Sequence, residues 1–410
     1  MNITPQEKAV LRGLASRMAE IAALPVHQEK AELWRRLNSL DPVRPMIMLQ
    51  NGTWHETSSE ITMETEGEFA RDQEWWLRTW FYQWDHIRDD SVYEAKAYSP
   101  ITILDTGFGV GQDATRPEHE FGAACYNTTI PDDADPETIP LPVVTVDWDE
   151  TERQFQMRCE LYDGILAVEK RGVSGHWFSI MDQFVTWRGI QQTFTDMVDR
   201  PDWVHAWMNR LTEWYLSRLE QCERLGVLSL NNRAQGVGPG GLGFTDELPR
   251  SGFDGAHVRA IDQWAHATTQ IFSEVSPKMH EEFALRYERR FLERFGLAGY
   301  GCCEPLDKKI DIVKSIPNLR RVSMSPWVDP ARGAEGLGRD YVFSYKPNPE
   351  IIAMEPWDID TARRFLKDAL DKARGCVVEV LMKDLHTCRH QPWRMTEWTE
   401  MAMQLAEEYA

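Results

Sequence analysis

The stretch LAGYGCCEPLDKKIDIVKSIPNLRRVSMSPW, residues 297–327, contains two short apolar segments on either side of a helix-like segment. The first apolar segment, 297–300, leads into the letters GCCEP, and the second, 321–324, leads into SPW. Short apolar runs bounded by turn residues are typical of buried strands. A helix is predicted to begin near Leu306, and two strands joined by a helix are expected to lie parallel in one sheet.

The same alternation of strand and helix extends through the rest of the chain. Further predicted strands cover 44–50, 101–104, 341–345 and 377–382, and further predicted helices cover 149–170, 200–225, 278–295 and 359–373. Repeated strand–helix units over this length predict an α/β fold that closes into a (β/α)8 TIM barrel. The barrel is assigned to residues 41–410, after an N-terminal helical extension over 1–40 that carries apolar residues at helical spacing.

Composition restricts the class of protein. The 410 residues include 65 acidic and 45 basic side chains, for a formal net charge of −20, and 42% of residues are hydrophobic. An acidic excess of this size disfavours nucleic acid and anionic membranes as partners. No apolar run is long enough to span a bilayer, and the amphipathic start is not typical of a signal peptide. An odd number of cysteines, seven, predicts free thiols or metal ligands in a reducing compartment, and hence a cytoplasmic location.

Reactive side chains cluster at the ends of three predicted strands. They are Tyr300, Cys302, Cys303 and Glu304 at the end of 297–300, Lys346 and Asn348 after 341–345, and Lys383, Asp384, His386 and Cys388 after 377–382. In a barrel of parallel strands, the carboxyl ends gather on one face, where the active site lies. We therefore expect these groups to converge, although about 80 residues separate the first set from the last.

Cysteine, histidine and carboxylate side chains at the ends of two strands predict a catalytic zinc site, because such sites use about three protein ligands and keep one position open. The candidate ligands are Cys302, Cys303 and Cys388. The alternative is that the adjacent cysteines only pack in the core, where free cysteine is common. Glu304, Lys383 and His386 are candidate catalytic residues. His386 lies two residues before Cys388, a spacing that is compatible with metal binding. A histidine near a strand end is, however, as often only a hydrogen-bonded structural residue.

Other candidate residues follow the amino-terminal strands. Asp105 ends the strand 101–104 and is a candidate acid or base, or only a loop cap. The predicted substrate-binding residues are Tyr300, Asn51, Trp54, Trp327 and Lys346. Lys346 and Lys383 are expected to bind an anionic group or a carbonyl oxygen, unless they are solvated loop charges. Seventeen tryptophans provide aromatic surface for an apolar pocket, although most are expected to be core.

The glycine-rich segment GVGPGGLG, residues 236–243, is a further conspicuous feature. It is not a phosphate-binding loop, because no Lys-Ser or Lys-Thr follows and no strand–turn–helix surrounds it. We expect either a mobile loop near a site or a surface connection.

Three segments resemble the uroporphyrinogen decarboxylase-like superfamily. They are DMVDRPDWVHAWMNRLTEWYL (196–216), SPKMHEEFALRYERRFLERFG (276–296) and GYGCCEPLDKKIDIVKSIPNLRRVSMSPW (299–327). The resemblance covers most of 40–405 and implies a TIM barrel of the uroporphyrinogen decarboxylase type. True decarboxylases of uroporphyrinogen carry an arginine-rich motif after the first strand. Here that place reads MLQNGT (48–53), without arginine, so that substrate is not expected.

The other branch of this superfamily comprises cobalamin-dependent methyltransferases, which bind zinc through a His-x-Cys motif and a late cysteine. Their histidine falls on Tyr300, their first cysteine on Cys302 and their last on Cys388. Because tyrosine is a rare zinc ligand, the resemblance leaves two alternatives open: the third ligand is Glu304, Cys303 or His386, or zinc is absent.

The resemblance implies a methyltransferase that moves a methyl group from a methoxylated or methylated small molecule to the cobalt of a corrinoid protein. An aromatic methyl ether is one such donor, and its reaction would be an O-demethylation assisted by zinc. The alternatives are a lyase of the uroporphyrinogen decarboxylase type that acts on a smaller carboxylic acid, and a noncatalytic relative that binds a ligand. The expected partners are the corrinoid protein and the small-molecule donor, and the oligomeric state is open, with a homodimer as one option.

Overall fold

The computed structural model describes residues 3–117 and 122–410. At its centre lies a sheet of seven strands, all paired in parallel. In chain order they are β1 (Met46–Leu49), β2 (Trp177–Phe178), β3 (Trp264–Ala267), β4 (Leu297–Tyr300), β5 (Leu319–Met324), β6 (Val342–Tyr345) and β7 (Val377–Met382). Strands β2 to β7 lie side by side in sequence order, and β1 pairs with β7.

The parallel α/β architecture is therefore confirmed. Most residues of its strands are buried because helices and loops cover both faces of the sheet. Within residues 3–117 and 122–410, no strand pairing joins β1 to β2, so the closed eight-stranded barrel is not confirmed. The division into a helical extension and a barrel domain stays a prediction.

Three two-stranded sheets stand apart from the central sheet. Their pairs are Lys96–Pro100 with Ala167–Arg171 in parallel, and Thr102–Asp105 with Val144–Asp147 and Ala114–Thr115 with Cys125–Tyr126 in antiparallel orientation. The predicted strand 101–104 is thus not a strand of the central sheet. The predicted helix 149–170 is also too long: it ends at Tyr162, and Gly164 follows with a φ of +73°, a left-handed conformation that stops a helix.

Helices surround the sheet. Their bounds are Pro5–Ala22, Pro25–Asn38, Trp54–Thr57, Glu68–His86, Trp148–Tyr162, Ile180–Arg188, Ile190–Asp199, Pro201–Arg224, Pro277–His280, Arg286–Leu292, Ile310–Val313, Pro330–Leu337, Glu350–Ala353, Ile359–Lys372 and Trp393–Glu407. A π-helical turn, Glu281–Leu285, joins the helix that ends at His280 to the one that begins at Arg286. Among the described residues, no helix has the length and apolar character needed to cross a membrane.

The strand register gives the sheet two unlike faces. On one face, Ile47, Val380, Tyr345 and Met324 lie in line across four strands and pack in the main apolar core. On the other, the aligned residues are Met46, Glu379, Ser344 and Ser323. Because side chains alternate along each strand, Arg321 and Gly299 lie on this second face too. We call it the polar face.

The glycine-rich segment 236–243 covers the polar face, so the prediction of a surface connection is wrong, while its mobility stays a prediction. The backbone of Gly241 donates to Glu379 Oε1 at 3.1 Å and accepts from Arg321 Nη1 at 3.0 Å. A Cβ at Gly241 would lie 2.3 Å from the Trp34 ring, and one at Gly240 would lie 2.5 Å from Arg321. The glycines are needed because the backbone approaches buried side chains so closely.

Candidate functional site

Two lysines follow neighbouring strands at the carboxyl edge of the polar face. Lys346 comes directly after β6 and Lys383 directly after β7, and both are buried. Since Tyr345 and Met382 belong to the apolar face, alternation places both lysines on the polar face. The parallel strands thus bring together two cations that are distant in sequence.

Lys346 lies in the interior. Its Nζ donates to the Ser344 carbonyl at 3.0 Å and to Ser344 Oγ at 2.6 Å. Burial lowers the pKa of Lys346 to about 7, and the positive charge of Lys383 lowers it further, while Glu379 opposes the change. Lys346 is therefore an amine that exchanges a proton near neutral pH.

Lys383 lies beside a thiol and a carboxylate. Its Nζ is 3.6 Å from Cys302 Sγ and forms an ion pair with Asp384. Burial lowers the pKa of Lys383, but the Cys302 sulfur and the Asp384 carboxylate outweigh it, so the net pKa is raised. Lys383 therefore keeps its positive charge at neutral pH.

Cys302 and Cys303 form a pair of thiols at the end of β4. Their Sγ atoms are 3.6 Å apart, with Cys302 buried and Cys303 half-buried. Their mutual hydrogen bond raises the pKa of Cys302 and lowers that of Cys303, because a thiolate on Cys303 accepts from the Cys302 thiol. Lys383 lowers the pKa of both thiols.

Glu304 is fully buried behind these thiols. Its carboxylate accepts from the Cys302 N–H at 2.9 Å, from Thr268 Oγ1 at 2.8 Å and from the Thr269 N–H at 3.3 Å. Burial raises the pKa of Glu304. These contacts join the loop after β4 to the loop after β3, so the geometry assigns Glu304 a positioning role.

Tyr300 belongs to the apolar face. Its hydroxyl lies 2.6 Å from His280 Nε2 and 2.6 Å from Glu288 Oε2, two groups on the helical segment 277–292. Burial raises the pKa of Glu288 to about 8 and lowers that of His280 to about 3, so both are neutral at pH 7. Tyr300, predicted to bind substrate, therefore points away from Lys346 and Lys383.

The third cysteine of the predicted zinc set has another partner. Cys388 Sγ donates to Glu56 Oε2 at 2.9 Å, and the same oxygen accepts from the backbone N–H groups of Cys388 and His390. Across residues 3–117 and 122–410, no three His, Cys, Asp or Glu side chains are grouped so as to hold a metal ion. The three predicted cysteine ligands are therefore not grouped in the described part of the chain, and the zinc site stays a prediction.

The residues predicted after β1 are engaged locally. Asn51 Oδ1 accepts from the N–H and the hydroxyl of Thr53, at 2.8 and 2.9 Å, which closes a turn. Trp54 packs edge-on against Trp75 and Tyr82. The Asn51 side chain thus serves to close a turn, whereas the Trp54 ring is half-buried among aromatic side chains.

Three further candidates lie at exposed positions. The Trp327 ring is 66% exposed after β5, and His386 is exposed in the loop after β7. Asp105 lies in the separate sheet Thr102–Asp105 and forms an ion pair with Arg218 at 2.8 Å. Asp105 is thus not at a strand end of the central sheet, contrary to expectation, because its strand pairs outside that sheet.

Sequence reasoning missed several groups on the polar face. His266 on β3 is buried, its Nε2–H donates to the Gly301 carbonyl at 2.8 Å, and its ring stacks on the exposed ring of Trp177. Arg321 and Glu379 form a buried ion pair at 3.1 Å. The signal was available for Arg321 and Glu379, because a charged residue inside an otherwise apolar strand requires a buried partner.

No protein-family model matches this chain, and no curated protein matches it in sequence. Among solved structures, the chain is similar to a methyltransferase from Methanosarcina mazei, with a TM-score of 0.52 and 10% sequence identity. The match covers 92% of this chain and 97% of that chain. At this identity, the likeness shows that the two chains share a fold along nearly their whole length.

Proposed function

We propose that this chain is a methyltransferase that transfers a methyl group from a methoxylated or methylated small molecule to the cobalt of a corrinoid protein. The observation that carries the proposal is the meeting of Lys346, Lys383 and the Cys302–Cys303 pair at one edge of the polar face. The fold shared with a methyltransferase is consistent with it.

Removal of a methyl group leaves an electron pair on the donor's heteroatom. The corrinoid protein, as acceptor, supplies the nucleophile. Lys383, which stays positively charged, stabilises the negative charge that develops on the heteroatom. Lys346, with a pKa of about 7, donates the proton that this atom needs to leave as an alcohol, phenol or thiol. The two lysines thereby provide the polarisation that a Lewis acid would otherwise supply.

The predicted zinc ion stays a prediction, and no step above uses it. Metal analysis of the purified protein tests it directly. Zinc bound in a one-to-one ratio, and lost in a Cys302→Ser variant that remains folded, would return the metal to the proposal.

Methylcorrinoid formation tests the proposal. The protein is mixed with a reduced corrinoid protein and, in turn, with methoxylated aromatics, methylated amines and methyl thiols. Absence of methylcorrinoid with every donor, in the presence of a corrinoid protein that accepts methyl groups from another enzyme, would refute it.

Lysine-to-methionine variants test the roles of the two amines. Lys383→Met is expected to lower kcat by about 10²-fold or more, the usual contribution of such groups. Wild-type activity should fall as the pH rises through about 7, because Lys346 loses its proton there, and Lys346→Met should lack this dependence. Lys308→Met, at an exposed position in the loop after β4, is the matched control.

A lyase acting on a small carboxylic acid is the second candidate. The two buried amines that favour it would bind the substrate's carboxylate. Release of carbon dioxide from small carboxylic acids, without methylcorrinoid formation from any donor, would support this reaction and exclude methyl transfer.

A further inference from the structure

The sulfur atoms of Cys302 and Cys303 lie 3.6 Å apart on a loop whose backbone is held in place. We infer that this pair is a reversible oxidation site, at which a low-molecular-weight disulfide converts the two adjacent thiols into a vicinal disulfide. The inference concerns a modification of the protein and does not depend on methyl transfer.

The loop is anchored on both sides of the first thiol. The Cys302 N–H donates to Glu304 Oε2 at 2.9 Å, and the Cys302 carbonyl accepts from Ser323 Oγ at 3.0 Å. These bonds are buried, and they hold the backbone of Cys302 in place. Cys302 is 6% exposed, whereas Cys303 is half-buried, so an oxidant in solution meets Cys303 first.

The reaction balances in two exchanges. The thiolate of Cys303 attacks one sulfur of the external disulfide, which forms a mixed disulfide and releases one thiolate. The thiol of Cys302 then gives its proton to solvent, and its sulfur attacks Cys303 Sγ, which releases the second thiolate. Two electrons pass from the protein to the external disulfide, and the two released thiolates take up the two protons.

The resulting bond is expected to be easily reduced. Adjacent Cα atoms are about 3.8 Å apart across a trans peptide, whereas disulfides usually join Cα atoms about 4.4–6.8 Å apart. This mismatch strains the ring and raises its reduction potential, which is a property of labile disulfides. Cys302 Sγ lies 3.6 Å from Lys383 Nζ, so oxidation removes a thiol from the candidate site.

Peptide mapping of the oxidised protein tests the inference. The reduced full-length chain is treated with oxidised glutathione, its remaining thiols are alkylated, and the digest is analysed by mass spectrometry. The peptide with both cysteines should be unalkylated and two hydrogens lighter than its reduced form. Dithiothreitol should restore two alkylatable thiols. Cys125→Ser, which removes an exposed thiol elsewhere, should form the ring as the wild type does.

Three results would overturn the inference. They are alkylation of both cysteines after oxidation, glutathione that stays on Cys303, and a disulfide from either cysteine to a distant one. Peptide mapping of the wild type is sufficient to distinguish these results. In a folded Cys303→Ser variant, Cys302 should form no disulfide, but the test does not depend on that variant. The test measures peptide mass, so its result can be interpreted even if the protein transfers no methyl group. Likewise, absence of the disulfide would not count against the proposed methyl transfer.

Discussion

Replacement of Glu288 by glutamine should change how the stability of this protein depends on pH. Burial raises the pKa of Glu288 from 4.5 to about 8, with smaller contributions from the nearby Glu304 and Asp182 carboxylates. Its oxygens accept from Thr269 Oγ1 and lie within hydrogen-bonding distance of the Tyr300 hydroxyl, both at 2.6 Å. The folded chain therefore keeps a proton on this group that the unfolded chain releases above pH 4.5.

The sign and size of the effect follow from linkage. The stability due to the neutral carboxyl is fully present below pH 4.5, and it is lost as the pH rises from 4.5 to about 8. At about 1.36 kcal/mol per pH unit, the loss is about 5 kcal/mol across this window. Glutamine has nearly the same shape but does not ionise, so Glu288→Gln should not show this loss.

Thermal unfolding between pH 5 and pH 8.5 measures the difference. For a chain of this length, about 4 kcal/mol corresponds to about 5 °C in Tm. The Tm of Glu288→Gln minus that of the wild type should rise by about this amount from pH 5 to pH 8.5. Glu293→Gln, an exposed position one residue beyond the end of the same helix, is the control. Parallel Tm curves for Glu288→Gln and wild type would show that the buried carboxyl is not neutral.

Three further variants test other contacts. Gly241→Ala should lower the free energy of unfolding by about 1–3 kcal/mol, because its Cβ would lie 2.3 Å from a tryptophan ring. Gly111→Ala is the control, since its Cβ would lie in open space and should leave the free energy of unfolding unchanged. Melting curves of both variants measure the difference. Hydrogen bonds to Glu56 outweigh its burial and lower its pKa to about 2, so the ionised carboxylate contributes stability above pH 4.5 that is lost as the pH falls towards 2. Glu56→Gln should remove this contribution, and acid unfolding of the variant and the wild type measures the difference. Glu304→Gln should change the alkylation rate of Cys303, because the carboxylate anchors that loop; an unchanged rate would contradict the positioning role.

Local sequence patterns were sufficient for five of the seven strands of the central sheet, and they missed Trp177–Phe178 and Trp264–Ala267. The strands 297–300 and 377–382 have the predicted bounds, because each is an apolar run between turn residues. The strand 101–104 was placed in the wrong sheet, since its partner, Val144–Asp147, lies 40 residues later and no local signal marks the pairing. Long-range pairing depends on contacts that a local pattern does not contain.

For the candidate site, too, the sequence predicted one part of the arrangement and missed another. The sequence predicted that Lys346 and Lys383 follow strands of one sheet, and parallel strands necessarily bring such positions to one edge. It did not indicate that Tyr300 faces the helical segment 277–292, nor that the glycine-rich segment packs against Glu379. Both depend on which side of the sheet each residue occupies.

By itself, the sequence determined the alternation of strands and helices after residue 296, the parallel α/β class and the residues found at the carboxyl ends of β4, β6 and β7. Only the tertiary structure decided which of those residues meet: Lys383 with Cys302, Cys388 with Glu56, and Tyr300 with Glu288. The physical reason is the two-residue period of a strand. A shift of register by one residue moves every side chain to the opposite face, and the register is set by packing across the whole sheet.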